Sequence, residues 1–296
     1  MFDIISLTCF AILKNNYMIK TFFNLVSCIG IILLSAIFVS SCKKTPANMS
    51  RPLTPTQSVT KPDTTTPVYT LVWSDEFNGT TIDATKWNME TGNLNVNQEE
   101  EYYQASNATV ANGNLVITAQ KQSVGGQSYT SARINTMGKF SAEYGRIEAR
   151  IKLPLGQGLW PAFWMLGANI NTVSWPTCGE MDIMEHINAD STIYGTMHWN
   201  VNGHVQYGQT TTISDPGDYH IYAIEWDTNS IRWYVDSTLY VTGNIANNIN
   251  GTGAFHLPFF IILNLAVGGD FPGLTVDESK LPASMYVDYV RVYTAN

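Results

Sequence analysis

The chain has 296 residues, 45% of them hydrophobic and 14% charged, the balance of a folded protein with a sizeable core and not of a disordered one. Its net charge of −8 argues against nucleic acid as a partner, because phosphate binding needs a basic face.

Residues 18–42 begin with Met18, carry one lysine, and continue as an almost unbroken apolar run that ends in VSSC, followed by KK. A short basic head, an apolar middle and small residues before a break describe a secretory signal. The cysteine after VSS resembles the lipobox of bacterial lipoproteins, which implies lipid on Cys42 and removal of residues 1–41. A single membrane-spanning helix is the competing reading, since the run is nearly long enough. Residues 42–67 are rich in Thr, Pro and Ser and read as a linker from the anchored Cys42. The expected location is the bacterial cell envelope, periplasmic or surface-exposed, with the protein a monomer held to the membrane by lipid. Cys9 and Cys28 leave with the signal, so the mature domain keeps Cys178 and has no internal disulfide. Cys178 reads as a small buried thiol.

From Val68 to Asn296 the pattern is that of one domain. In 144–154, Ile147, Ala149 and Ile151 alternate with Arg146, Glu148, Arg150 and Lys152, which predicts a half-solvated antiparallel strand. Residues 220–241 read as three strands separated by DTNS and DST turns. Residues 255–269 form a continuous apolar run, which fits a strand buried on both faces; periodicity alone does not exclude a helix. Residues 285–294 form a further strand. Many strands with Gly, Asn and Asp turns predict two packed antiparallel sheets, an all-β sandwich or jelly roll.

The stretch TCGEMDIMEHIN, 177–188, sets Glu180, Asp182 and Glu185 among core-type residues. Alternation puts Glu180 and Asp182 on one strand face, with Met181 and Ile183 behind. Continued regularly, it would send Glu185 into the core, where an unpaired carboxylate is costly. A β-bulge at Ile183–Met184 returns Glu185 to the acidic face and turns Met184 inward. Glycoside hydrolysis uses two such carboxyls, one as acid and one as nucleophile or base. The backbones of Glu180 and Glu185 would lie about 13 Å apart, less with curvature, leaving the long side chains to close the gap. An acidic solvated face and a metal site are the rival readings, although no H-E-x-x-H pattern occurs here.

GEMDIMEH is similar to the active-site signature of glycoside hydrolase family 16, in the bulged E-x-D-x-x-E form of laminarinase-like enzymes. LVWSDEFNGTTIDATKWN, SARINTMGKFSAEYGRIEARIKLPLGQGLWPAFWMLG, YGTMHWN, FHLPFFIILNLAVGGDFPG and YVDYVRVY resemble that family's other blocks, in order, over nearly all of 69–294. The resemblance implies a concanavalin A-like β-jelly roll with a concave substrate cleft. It implies retaining endo-hydrolysis of β-1,3-glucan (laminarin), with mixed β-1,3/1,4-glucan as a second substrate and no catalytic cofactor. Glu180 becomes the nucleophile, Glu185 the general acid/base and Asp182 their electrostatic partner. A non-catalytic surface glycan-binding protein, a transglycosylase, and a hydrolase of agarose- or porphyran-type galactans are the alternatives.

Trp160 and Trp164, four residues apart, share a strand face, with Phe163 and Met165 towards the core. The resemblance makes them glucan subsites together with Trp175, His198 and Trp199; Asn97, Glu99, Arg133 and Asn264 join them at the cleft's edge and floor. It also implies a structural Ca²⁺ on the convex side, through Glu76 and Gly113 backbone oxygens and the Asp288 carboxylate. Trp73, Trp87, Trp226 and Trp233 read as core or rim, and His186, His204, His220 and His256 as framework residues.

Overall fold

The computed structural model describes residues 68–296; the signal, Cys42 and the linker lie outside the described residues. Two sheets stack face to face. The sheet that carries the acidic stretch has seven strands: Asn88–Met89 (β1), Arg133–Asn135 (β2), Leu159–Gly167 (β3), Glu180–Glu185 (β4), Thr192–Asn200 (β5), His204–Thr212 (β6) and Phe259–Val267 (β7). Their spatial order is β6-β5-β4-β3-β7-β2-β1, antiparallel throughout. A ten-stranded sheet covers its inner face. The expected jelly-roll sandwich is what forms. One pairing departs from an all-antiparallel arrangement: Glu101–Tyr103 runs parallel to Gln127–Ser131.

The core lies between the sheets and follows the period-two pattern. Ile147, Ala149 and Ile151 face it from one side, and Phe163, Met165, Met181 and Met197 from the other. Burying a side chain such as Phe163 or Trp226 contributes about 1.5–3 kcal/mol. Trp87, Trp226 and Trp233 are fully buried, and Trp73 packs at the core's margin. The strand β7 is buried at all nine positions. It sits between β3 and β2 within the sheet, with the core behind and the cleft in front, so its unbroken apolar run belongs to a strand. The three strands expected over 220–241 are Tyr219–Trp226, Ser230–Val235 and Thr238–Asn244.

The outer face of Gly145–Lys152 is drier than its charged sequence predicts. Glu148 is only 8% exposed. This strand lies between Tyr219–Trp226 and Ala283–Ala295, so neighbouring side chains shield its charges. Arg146 donates to Glu148 at 2.8 Å and to Glu225 at 3.3 Å.

Candidate active site

The strand β4 carries the expected bulge. Glu180, Met181 and Asp182 pair with His198, Met197 and Thr196 of β5, and Glu185 pairs with Tyr194. Ile183 and Met184 therefore oppose the single residue Gly195, which is a β-bulge. Both are fully buried in the core. Glu180, Asp182 and Glu185 all emerge on the opposite face. Trp233, from the facing sheet, donates its indole N–H to the Asp182 carbonyl oxygen at 2.7 Å. A Cβ on Gly195 would run into the Tyr240 hydroxyl and the Trp233 ring, so glycine is required for the bulge to seat.

Each glutamate receives one indole N–H. Trp160 Nε1 donates to Glu185 Oε1 and Trp175 Nε1 to Glu180 Oε2, both at 2.9 Å. Asp182 lies between them and is 4% exposed. His198 Nε2 is 3.0 Å from Asp182 Oδ2 and 3.9 Å from Glu180 Oε1. Asp182 Oδ2 nevertheless lacks an aligned hydrogen bond, so this is a close contact that a small ring rotation would convert into one.

Burial pushes the Glu180 carboxyl up to about 8; the Asp182 charge adds to this, while His198, the Trp175 N–H and Arg133 oppose it. Burial likewise pushes Asp182 up to about 8. Glu185 is held well above the usual carboxylate range, by burial first and then by the charges of Asp182 and Glu180. Three carboxyls in one dry trough do not all ionise together. Glu185 meets the charges of both other acids and Glu180 that of Asp182, and one carboxyl keeping its proton while another ionises is the division an acid and a nucleophile require.

The three carboxyls open into a trough of about 440 Å³ lined also by Trp160, Trp164 and Trp175, with Asn97, Glu99, Arg133 and Asn264 along its wall. Trp175 is 45% exposed, free to present its ring. Trp164 donates to Asn264 Oδ1 at 2.8 Å, and the Arg133 guanidinium lies over the Trp164 ring at 4.7 Å. A chain of hydrogen bonds runs on from there. Asn264 Nδ2 donates to the Tyr103 hydroxyl (3.2 Å), Tyr103 to Glu99 (3.0 Å), and Asn97 Nδ2 to Glu99 (3.0 Å). Indole faces, amides and one arginine make a wall suited to the C–H faces and hydroxyls of a neutral sugar chain.

The profile described as "Glycosyl hydrolases family 16" matches residues 95–291, which span the bulged strand and the trough wall. The chain belongs to this family. A second profile, "Beta-glucan synthesis-associated protein SKN1/KRE6/Sbg1", matches residues 10–176 and stops short of the acidic strand. Among solved structures, the catalytic domain of an endo-1,3-β-glucanase (laminarinase) from Thermotoga petrophila RKU-1 is 43% identical with a TM-score of 0.72; the match covers 78% of this chain and all of that one. The β-glucanase of Rhodothermus marinus is 40% identical over 77% of this chain and 86% of its own length. The clotting factor G alpha subunit of Tachypleus tridentatus is 43% identical over 77% of this chain. This chain spans only 34% of that subunit's length, and 37% of a Niallia circulans glucan endo-1,3-β-glucosidase.

Within this family 16 domain one expected subsite is corrected. Trp199 is 5% exposed, packs edge-on against Phe255 at 5.9 Å and donates to the Asn250 carbonyl at 2.8 Å. Its neighbour His198 faces the acids, so strand alternation sends Trp199 into the core. His186 is fully buried, with Nε2 2.9 Å from the Asp190 carbonyl, and His256 sits between Tyr144 and the Ile245 carbonyl. Both are framework residues. His204 is not, since its ring lies 4.7 Å from Trp175. Cys178 is a fully buried thiol, pushed up to about 11 chiefly by burial, and so is inert.

The sequence reading missed Phe271, which packs edge-on against Trp160 (5.5 Å) and Tyr194 (4.9 Å) at the Glu185 end. It also missed Tyr103 and Trp233, which reach the site from outside β4. Only the GGDFPG turn offered a signal, an aromatic set among glycines next to a strand end.

For calcium, the Glu76 side chain is held by Arg291 at 3.0 and 2.8 Å, and Asp288 Oδ2 by Arg150 at 2.8 Å. The oxygens expected to hold calcium, from the Glu76 and Gly113 backbone and one Asp288 carboxylate oxygen, are not those that these ion pairs engage. Ligand atoms of Glu180, Asp182 and His198 do converge within 4.8 Å, but hydrolysis by a carboxyl pair needs no metal, and we assign none.

Proposed function

We propose that the domain is a retaining endo-β-1,3-glucanase acting on laminarin-type chains, with mixed β-1,3/1,4-glucan as a second substrate. The observation that carries this reading is a bulged strand presenting two indole-bound glutamates, on either side of a buried aspartate, to one trough. The Glu180 carboxylate attacks the anomeric carbon while Glu185 gives its proton to the departing glycosidic oxygen. A glycosyl ester on Glu180 results. Glu185, now ionised, takes a proton from water, whose oxygen displaces Glu180 from the anomeric carbon. Two displacements return the original β configuration. Asp182, close to both, counters premature ionisation of Glu185.

The substrate class rests on what the relatives are called, a β-glucanase and a laminarinase, and on a wall with aromatic faces and little positive charge. The test is digestion of laminarin, lichenan and agarose, with reducing ends counted and the product anomer followed by NMR. Release of β-anomers from laminarin is expected. Laminarin bound but left intact would favour the surface glycan-binding alternative, and α-anomers would rule out retention. We propose further that Cys42 carries lipid and that the enzyme works from the bacterial envelope, its linker giving the trough reach.

A further inference from the structure

The β5–β6 hairpin brings a second histidine to the site. Its turn is closed by the Gly203 amide donating to Asn200 Oδ1 at 2.8 Å. Asn200 pairs with His204, and His198 with Gln206, so His198 and His204 are diagonal neighbours on one face, within reach of each other. The rings lie 17° from parallel with centroids 5.1 Å apart, and His198 Nδ1 is 2.9 Å from His204 Nε2. The other nitrogen of His198 is the one facing Asp182 and Glu180. His204 also packs on Trp175, whose indole N–H holds Glu180.

A neutral imidazole has one N–H, and the hydrogen bond at one nitrogen decides which nitrogen carries it. We propose that His204 is a positioning residue: its Nε2–H donates to His198 Nδ1 and so keeps the His198 proton on Nε2, aimed at Asp182 and Glu180. The inference rests on reading those two as catalytic groups. The other His198 tautomer would turn a bare lone pair towards two carboxyls, where it opposes the ionised form the nucleophile needs. Desolvation, then the His198 ring, push the pKa of His204 down, so at neutral pH His204 is uncharged and offers a single proton. The Asp182 contact is not yet aligned; catalytic hydrogen bonds often tighten only when substrate arrives.

Two substitutions separate this role from packing. His204→Phe keeps a ring against Trp175 but has no N–H, whereas His204→Gln restores an N–H donor. With laminarin, His204→Phe is expected to lose about tenfold in kcat with KM within about twofold. ¹⁵N NMR of His198 should show Nε2–H alone in the wild type and both tautomers in His204→Phe. His204→Gln should recover most of kcat and the Nε2–H form. Unchanged kcat and an unchanged His198 tautomer in His204→Phe would overturn the proposal, as would a Gln variant no better than Phe. Failure of the underlying reading shows separately, as wild-type protein that leaves laminarin intact.

Discussion

Glu180 and Glu185 share one chemistry, a half-buried carboxyl receiving an indole N–H, and both are held above the usual carboxylate range. Desolvation and then the Asp182 charge push Glu180 up, against His198, the Trp175 N–H and Arg133. Desolvation and then the charges of Asp182 and Glu180 push Glu185 up, against the Trp160 N–H and His198. Glu180→Gln and Glu185→Gln should each lower kcat on laminarin by a factor of about 10² or more while circular dichroism stays unchanged; a Glu180→Gln enzyme with near-normal turnover would remove the nucleophile assignment. The same burial bears on stability. An unfolded Glu ionises near about 4.3, whereas folded Glu185 holds its proton to higher pH. The folded state therefore binds more protons in that window, and stability declines as pH rises through it. Glu185→Gln escapes this decline. It should melt above wild type at pH 8 and level with it at pH 4; an equal difference at both pH values would refute the cause.

The bulge in β4 is an element-scale device fixed from three directions. Gly195 makes room opposite the extra residue, Ile183 and Met184 anchor in the core, and Trp233 binds the Asp182 carbonyl where the register shifts. Removing that indole N–H takes a buried hydrogen bond away from the carbonyl, which costs about 0.5–1.5 kcal/mol. Trp233→Phe should therefore lower stability by about that amount in urea melts. It should also reduce kcat, because the kink that aims Glu185 loosens. Loss of stability with unchanged kcat would mean that the bond supports the fold alone. A similar economy governs the β5–β6 hairpin, where one turn sets His198 over the acids, His204 over Trp175 and Trp199 into the core.

At the scale of the whole molecule, the two sheets do different work. The ten-stranded sheet supplies the apolar backing and reaches the site through hydrogen bonds of Trp233 and Tyr103; the seven-stranded sheet carries all three acids. The lipid proposal belongs to this scale, since an anchor acts on the entire domain. Cys42→Ser should stop labelled palmitate incorporation and move the enzyme from the membrane fraction to the soluble one, with activity on dissolved laminarin retained. Palmitate-free wild-type protein would remove the anchor.

The main strands, the bulge and the shared face of the three acids were legible in the sequence. Those features arise from residues close along the chain: period-two alternation marks a face, and Glu185 falling out of step marks an extra residue. Trp160 and Trp164 were legible for the same reason. Tertiary structure alone decided what lies across the sheets and between hairpins. Trp199 carried the right side chain for sugar stacking, but its face was set by its neighbour His198. His204, Trp233, Tyr103 and Phe271 come from separate segments, and only packing brings them to the acids. The proton distribution was equally hidden, because a carboxyl's affinity depends on the water excluded and the charges gathered around it, and neither is written in the spacing of residues.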